Sequence, residues 1–345
     1  MTIPPRSESS IDKTDPIYRI SNLLFLVFII ALFSLVIWFS KDQPDILKPR
    51  TLTVYAFSAM EPVLEQRIIP AFQDFWQESY HERVEFITTF AGSGVITHQI
   101  MAQLPVEVAL LSSELDAWRL QAGGIISYDE YEVLQKRGPF CRTPLALFIR
   151  DTFQTPISSL DDLDFKTMDI SIPDPLTSGV GQLAYLALYQ SSIRRGISHE
   201  VSLDAIIKLR RSLRHQPTTS RSAMEEFRAG LGQISLNYAA VDHSHSDVVP
   251  KKKVIPKVAY LAEPTILPVK RNIKPGQEYL VNAFVDFLYG EVAQTALKNY
   301  GFSPLGSDLS PGFAVPTEMS IITLDSLGSL GKINRLIIDK LVSTN

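Results

Sequence analysis

The sequence predicts an α/β protein of two domains, preceded by one transmembrane helix. Three observations lead to this prediction: strands and helices alternate along the chain, its 345 residues are typical of two domains, and one long uncharged run lies near the N-terminus. The single cysteine, Cys141, excludes a disulfide-stabilised scaffold and a multi-cysteine metal site. A formal net charge of −4 argues against a nucleic-acid-binding protein, because neutralising phosphates requires a basic surface.

The uncharged run extends from Ile20 to Ser40. A helix of this length, rising about 1.5 Å per residue, reaches about 30 Å, which is the thickness of the hydrocarbon core of a bilayer. No Ala-x-Ala pattern follows the run, and this favours an uncleaved anchor over a signal peptide. Basic residues are equally frequent on both sides, so they do not set the orientation. We expect a tail at 1–19, an anchor at 20–40 and a linker at 41–50.

The first half of the remaining chain alternates between strands and helices. Thr51–Phe57 is a predicted strand, and a helix is predicted from about Glu61 to Tyr80. Val84–Phe90 is the second predicted strand; it ends in Gly92-Ser93-Gly94, which opens another helix, and Val106–Leu111 is the third strand. This order favours a parallel or mixed sheet.

The second half continues the same alternation. Its predicted strands are 145–149, 168–172 and 233–239, and its predicted helices are 180–190, 202–214, 223–229 and 279–298.

Two strands end in a turn of small residues that opens a helix, at Gly92-Ser93-Gly94 and at Thr177-Ser178-Gly179. Such turns present free backbone N–H groups, and the helix dipole adds partial positive charge. Small residues let an anion approach the backbone closely. One such turn is usually an ordinary helix cap, whereas two in one chain favour an oxyanion site if the fold brings them together.

Other motifs give no support to catalysis or to a metal. Ser93 is not in a Gly-x-Ser-x-Gly motif, and no His or Asp is placed by the sequence to activate it. His243 and His245 lie in a polar loop, where two such imidazoles are usually solvated rather than metal-bound. Neither a Walker loop nor a dinucleotide-binding motif is present. We expect no enzyme, no metal and no cofactor.

Several ordered segments resemble the periplasmic sulfate/thiosulfate-binding proteins of ABC importers. They are Gly92-Ser93-Gly94, Pro173–Leu186, Gly230–Tyr238, Leu261-Ala-Glu-Pro-Thr265, Phe287-Leu-Tyr289 and Lys298-Asn-Tyr300. The resemblance implies a type II periplasmic binding protein, whose two interleaved lobes close over a tetrahedral dianion. It places lobe I at 51–140 and 258–320, lobe II at 141–257, and a C-terminal extension that packs on the lobes at 321–345.

The resemblance also implies a binding site made of neutral donors. The positions that match are the backbone amides of Phe57, Ser93, Gly179, Val180 and Thr219, the hydroxyl of Ser178, Ser58 beside the first turn, and Tyr238 in place of the family's tryptophan. Phe57, Met60 and Gln182 stand where the family has an aspartate and two arginines.

The implied function is that of the solute-binding component of a sulfate/thiosulfate-type ABC importer. Its partners would be sulfate or a related oxyanion, the permease subunits and the membrane, with the body on the periplasmic side of the bacterial inner membrane. A site of donors favours a fully ionised anion, because the hydroxyl of a protonated phosphate would find no acceptor. The alternative is a membrane-tethered sensing or accessory module for another anion, such as molybdate or phosphate.

Overall fold

The computed structural model describes residues 24–35, 49–243, 252–304 and 320–342. The chain divides into two compact units, Met1–Pro49 and Arg50–Asn345. In the first unit, residues 24–35 form a helix (α1) whose side chains are exposed. The search for a helix long and apolar enough to cross a membrane covered only the described residues, and it found none. The anchor predicted at 20–40 lies partly outside the described residues and is not confirmed. The tail at 1–19 lies wholly outside them, and most of the linker does too.

The second unit contains ten strands and twelve α-helices within the described residues, besides short 3-10 and π-helical turns. The strands are β1 (Arg50–Phe57), β2 (Val84–Ala91), β3 (Val108–Leu111), β4 (Thr143–Ile149), β5 (Ile170–Ser171), β6 (Ile234–Tyr238), β7 (Lys252–Val254), β8 (Val258–Ala262), β9 (Thr265–Pro268) and β10 (Ser320–Ile322). The α-helices are α2 (Glu61–Val63), α3 (Ile69–Tyr80), α4 (Ser93–Met101), α5 (Glu114–Ala122), α6 (Tyr128–Arg137), α7 (Gly179–Arg194), α8 (His199–Ser212), α9 (Ser220–Arg228), α10 (Glu278–Tyr289), α11 (Glu291–Asn299), α12 (Leu330–Ile333) and α13 (Asp339–Val342).

The strands form two sheets, one in each lobe. The four-stranded sheet has the order β2-β1-β3-β9, in which β1 runs parallel to β2 and β3, and β9 runs antiparallel to β3. The six-stranded sheet has the order β10-β8-β4-β6-β5, and β7 pairs with β4. Every residue of β3 and β4 is buried. This explains why apolar and polar residues do not alternate along these two strands.

Along the described strands the chain changes sheet three times, between β3 and β4, between β8 and β9, and between β9 and β10. The second change differs from the predicted lobe boundary, because residues 258–262 belong to the six-stranded sheet and not to the first lobe's sheet. The reason is pairing: Thr143 and Pro144 pair with Ala262 and Leu261, so the chain leaves the six-stranded sheet only after Ala262. Strand β10 also lies in this sheet, parallel to β8.

The long helix predicted at 279–298 is interrupted. It forms α10 and α11, separated at Gly290, whose backbone is extended with φ −78° and ψ 162°. Glycine favours the interruption of a helix because its backbone loses more conformational entropy in the helical conformation than that of other residues. Both helices still present buried apolar faces, with Phe284 and Leu288 in the first and Leu297 in the second.

Candidate functional site

Four backbone turns, contributed by both lobes, meet between the two sheets. They follow β1 at Phe57 and Ser58, follow β2 at Gly92 and Ser93, precede α7 at Ser178 and Gly179, and precede α9 at Thr219 and Ser220. Parallel strands present their carboxyl ends at one edge of a sheet, and this explains why the turns after β1 and β2 are neighbours.

The turn at the start of α4 touches the turn at the start of α7 directly. The backbone N–H groups of Gly94 and Val95 donate to the carbonyl oxygen of Thr177 over 3.1 and 3.4 Å. A Cβ on Gly92 would lie 2.1 Å from the same carbonyl oxygen, so only glycine permits this approach. The two small-residue turns singled out in the sequence therefore converge.

The turns after β1 and before α9 also touch. The Oγ atoms of Ser58 and Ser220 lie 3.2 Å apart, and both side chains are buried. Beside them Arg221 forms an ion pair with Glu61, and this hydrogen bond raises the pKa of the Arg221 guanidinium. Because Glu61 and Arg221 belong to different lobes, the pair joins the lobes at one side of the cleft.

Gly179, the first residue of α7, packs against Ser112 at the end of β3. A Cβ on Gly179 would lie 1.7 Å from Ser112 Oγ and 3.2 Å from the hydroxyl oxygen of Tyr238. The absence of a side chain at Gly179 thus lets a serine from one lobe and a tyrosine from the other reach the first turn of α7. Val180 follows in the same turn and is buried.

Tyr238 lies at the end of β6 and faces Phe57 across the cleft. The two rings meet edge to face with centroids 6.0 Å apart, and each residue is 2% exposed. Burial raises the pKa of Tyr238 well above its usual value; the Ser112 hydroxyl acts in the opposite direction and the charge of Asp116 adds to the rise. The phenol therefore stays protonated and can act as a donor.

The Ser93 hydroxyl points away from an incoming ligand. It donates to Oδ2 of Asp116 over 2.5 Å and accepts the backbone N–H of Ser112 over 3.0 Å. Asp116 is fully buried and also pairs with Arg119 at 3.3 Å. The backbone N–H of Ser93 lies in the first turn of α4, where such groups have no partner within the helix.

Asp116 and Ser112 are site residues that the sequence reasoning missed. An acidic residue in the first turn of a helix is an ordinary feature that complements the helix dipole, so Asp116 carried no distinguishing signal. Ser112 directly follows the strand predicted at Val106–Leu111, and its place beside Gly179 follows only from a contact between distant parts of the chain.

Thr219 is engaged in capping its own helix. Its hydroxyl accepts the N–H of Ser222 over 2.9 Å, and its own backbone N–H donates to Ser222 Oγ over 3.0 Å. The backbone N–H of Thr219 could donate to a ligand only if its hydrogen bond to Ser222 Oγ were broken. Ser178 is the N-cap residue of α7 and makes no side-chain capping bond.

A cavity extends from the first turn of α7 along the cleft. One end of it is polar, and the remaining wall is apolar and includes residues of the C-terminal segment. The polar residues are Ser112, Ser113, Gln182 and Tyr238, and the apolar wall includes Leu183, Leu186, Leu261, Leu324, Ile333 and Ile338. Neither polar atom of the Gln182 side chain has a hydrogen-bond partner in the described part of the chain, and both atoms are buried.

The described residues contain no group of three or more His, Cys, Asp or Glu side chains that could hold a metal ion. His245 and the side chain of His243, which the sequence analysis weighed as ligands, lie outside the described part of the structure.

Residues 52–303 match the family model of bacterial extracellular solute-binding proteins. The sulfate-binding protein of Synechococcus elongatus is 23% identical over 297 residues, which cover 83% of this chain and 83% of that protein. The thiosulfate-binding protein of Pseudomonas aeruginosa is 21% identical over 255 residues, which cover 71% of this chain and 76% of that protein.

Among solved structures, the sulfate-binding protein of Mycobacterium tuberculosis superposes with a TM-score of 0.70 at 23% identity. The superposition covers 84% of this chain and 99% of that one. The predicted two-domain α/β fold of a periplasmic binding protein is thereby confirmed.

Proposed function

Because the chain belongs to the family of bacterial extracellular solute-binding proteins, we propose that it captures sulfate or a similar tetrahedral oxyanion between its lobes and delivers it to the permease of an ABC importer. The sulfate-binding and thiosulfate-binding relatives support this choice of ligand. The family consists of solute-binding proteins, which supports binding rather than catalysis as the role of the cleft.

The observation that carries the proposal is the convergence of two helix N-termini, those of α4 and α7, at one point of the cleft. Backbone N–H groups in the first turn of a helix have no partner within the helix, and the dipole favours negative charge there. The proposed ligand-binding residues are Phe57, Ser58, Ser93, Ser178, Gly179, Val180, Thr219 and Tyr238. These groups are neutral, so affinity would come from local dipoles, and the net charge of −4 does not oppose it.

The bonds that now join the lobes indicate how a ligand would enter. The Gly94 and Val95 amides are occupied by the Thr177 carbonyl oxygen, and Arg221 is held by Glu61. Parting the lobes would free both amides. When the lobes close over an anion, the anion would take the place of the Thr177 carbonyl oxygen as the acceptor. Binding and closure would therefore be coupled.

Isothermal titration calorimetry on the purified full-length protein tests the proposal. We expect sulfate to bind with a dissociation constant of about 1 μM or below, which corresponds to about −8 kcal/mol or stronger. If none of sulfate, thiosulfate, molybdate and phosphate gives binding heat, the proposed function is wrong.

We also propose that residues 20–40 anchor the protein in the bacterial inner membrane, with the body on the periplasmic side. The run is uncharged, and its described part, 24–35, is a helix with exposed apolar side chains. Cell fractionation tests this: the full chain should sediment with membranes, and a variant lacking residues 1–48 should not. Recovery of the full chain in the soluble fraction would contradict the anchor.

A second candidate function is a tethered sensing or accessory module that does not feed a transporter. The neutral residues Phe57, Met60 and Gln182, at positions where the transport family has charges, favour it. Growth on limiting sulfate after deletion of the gene separates the two, because loss of a transport component should slow growth and loss of a sensor of another anion should not.

A further inference from the structure

We propose that Gln182 supplies a hydrogen-bond acceptor to the oxyanion site, so that the site takes tetrahedral oxyanions that carry a proton, such as hydrogen phosphate, as well as fully ionised sulfate. The inference rests on the proposed function and concerns the same cleft. It specifies the ligand class through one side chain whose polar atoms the protein itself leaves unsatisfied.

Gln182 is 3% exposed, and its side chain lines the cavity together with Gly179 and Tyr238. Neither its Oε1 nor its Nε2 meets a hydrogen-bond partner within the described residues. A buried amide without partners is strongly unfavourable, so such a group usually meets a ligand or an ordered water. Ser112 also lines this cavity.

The position of Gln182 on α7 brings its side chain to the anion turn. It is the fourth residue of the helix, which begins at Gly179. Side chains on a helix lean toward the N-terminus, so that of Gln182 covers the first turn, where the backbone N–H groups of Gly179 and Val180 lie. One small ligand can therefore contact the free amides and the glutamine together.

The chemistry of the amide distinguishes between two kinds of anion. A side-chain amide has two donors on Nε2 and an acceptor on Oε1. Sulfate offers only acceptor oxygens, so it would satisfy Nε2 and leave Oε1 unpaired. A protonated anion can also donate its hydroxyl to Oε1. The carboxylate of Asp116, behind Ser93, already receives bonds from Ser93 and Arg119.

The surroundings indicate that an apolar residue would fit at this position. Leu183 and Leu186 lie on the same helix and line the same cavity. If the wall served only to seal the cleft, a third apolar side chain would do so without the cost of burying an amide.

The test compares two fully ionised anions, sulfate and selenate, with two that carry a proton near neutral pH, phosphate and arsenate. Isothermal titration calorimetry on the full-length chain gives the ratio of the dissociation constants for phosphate and sulfate. Gln182→Met keeps the length of the side chain and removes both polar atoms, and Gln182→Leu is a second apolar variant. The matched control is Gln99→Met, because Gln99 Oε1 is also buried and unpartnered but does not line this cavity.

We expect wild type to bind phosphate within about tenfold of sulfate. Both Gln182 variants should lose some affinity for every anion, because Nε2 is removed, but the loss for phosphate and arsenate should be at least about tenfold larger than that for sulfate and selenate. Gln99→Met should leave the ratio unchanged. The inference is overturned if wild type shows no phosphate binding, or if the ratio is the same in wild type and in the folded Gln182 variants. Failure of all four anions to bind would overturn this inference, and the proposed function would fall with it if thiosulfate and molybdate also gave no binding heat.

Discussion

Tyr238 lies where the two lobes meet in the proposed site. Its hydroxyl reaches the first turn of α7, and its ring packs on Phe57. Phe57 therefore contributes an aromatic contact across the cleft. A buried aromatic pair contributes about 0.5–1.5 kcal/mol beyond its area.

Replacing Tyr238 by Phe should weaken sulfate binding by about 1 kcal/mol, or about fivefold, because one hydrogen-bond donor is lost while the ring remains. Calorimetry measures the change. Tyr260→Phe is the matched control, since Tyr260 is also a buried tyrosine of a strand but lies outside this cavity. An affinity equal to that of wild type in Tyr238→Phe would remove Tyr238 from the site.

Gly179→Ala should lower the stability of the closed form by about 1–3 kcal/mol, because the new methyl group would overlap Ser112 Oγ. The thermal melting temperature and the sulfate affinity should both fall. Adding Ser112→Ala should restore part of both losses, since it removes the atom nearest to the clash. Equal melting temperatures for Gly179→Ala and wild type would show that the lobes do not meet at this point.

At the scale of elements, features that depend on neighbouring residues could be predicted from the sequence, whereas pairings between distant strands could not. The turns at 92–94 and 177–179 could be found in the sequence because small residues at the end of a strand leave a local pattern. The apolar periodicity of 279–298 predicted which face of the helix is buried. It did not predict the interruption at Gly290, since a single glycine is tolerated inside many helices. The pairing of Ala262 with Thr143 depends on residues far apart in sequence.

The C-terminal segment 320–342 is the element that contacts both lobes. Arg119 of α5 donates to Asn334 Oδ1 over 2.8 Å, and Arg210 of α8 donates to the carbonyl oxygen of Leu341. Ile333 and Ile338 line the cavity in the cleft. The segment therefore closes the cavity on the side of α5 and α7.

Deleting residues 330–345 should lower the melting temperature by roughly 10 °C. Leu330, Ile333, Ile338 and Leu341 are all buried, and each fully buried apolar side chain contributes about 1.5–3 kcal/mol. Differential scanning calorimetry measures the shift. Deleting only 343–345, which lie outside the described residues, is the control. An unchanged melting temperature in the longer deletion would show that this segment does not stabilise the lobes.

For the whole molecule, the sequence predicted two lobes and a site between them, and it also showed three neutral residues where charges were expected. It could not show the contacts between distant residues that surround the proposed site. These are Ser112 against Gly179, Asp116 behind Ser93, and Phe57 against Tyr238. Each partner is unremarkable in its own segment, so only the fold reveals the pair.

The stability of the whole molecule at alkaline pH should depend on its buried and half-buried tyrosines. Burial raises the pKa of Tyr260 to about 12 and that of Tyr289 to about 12, against about 10 in an unfolded chain. The fold favours the neutral phenols, so their contribution to the free energy of unfolding is full below about pH 10 and is lost as the pH rises through about 12. Thermal melts between about pH 8 and 12 should therefore show a melting temperature that falls steeply from about pH 10. Tyr260→Phe and Tyr289→Phe should each make this fall smaller. Tyr128→Phe is the control, because Tyr128 is exposed, and it should leave the fall unchanged. A melting temperature that stays constant to pH 12 would contradict this account.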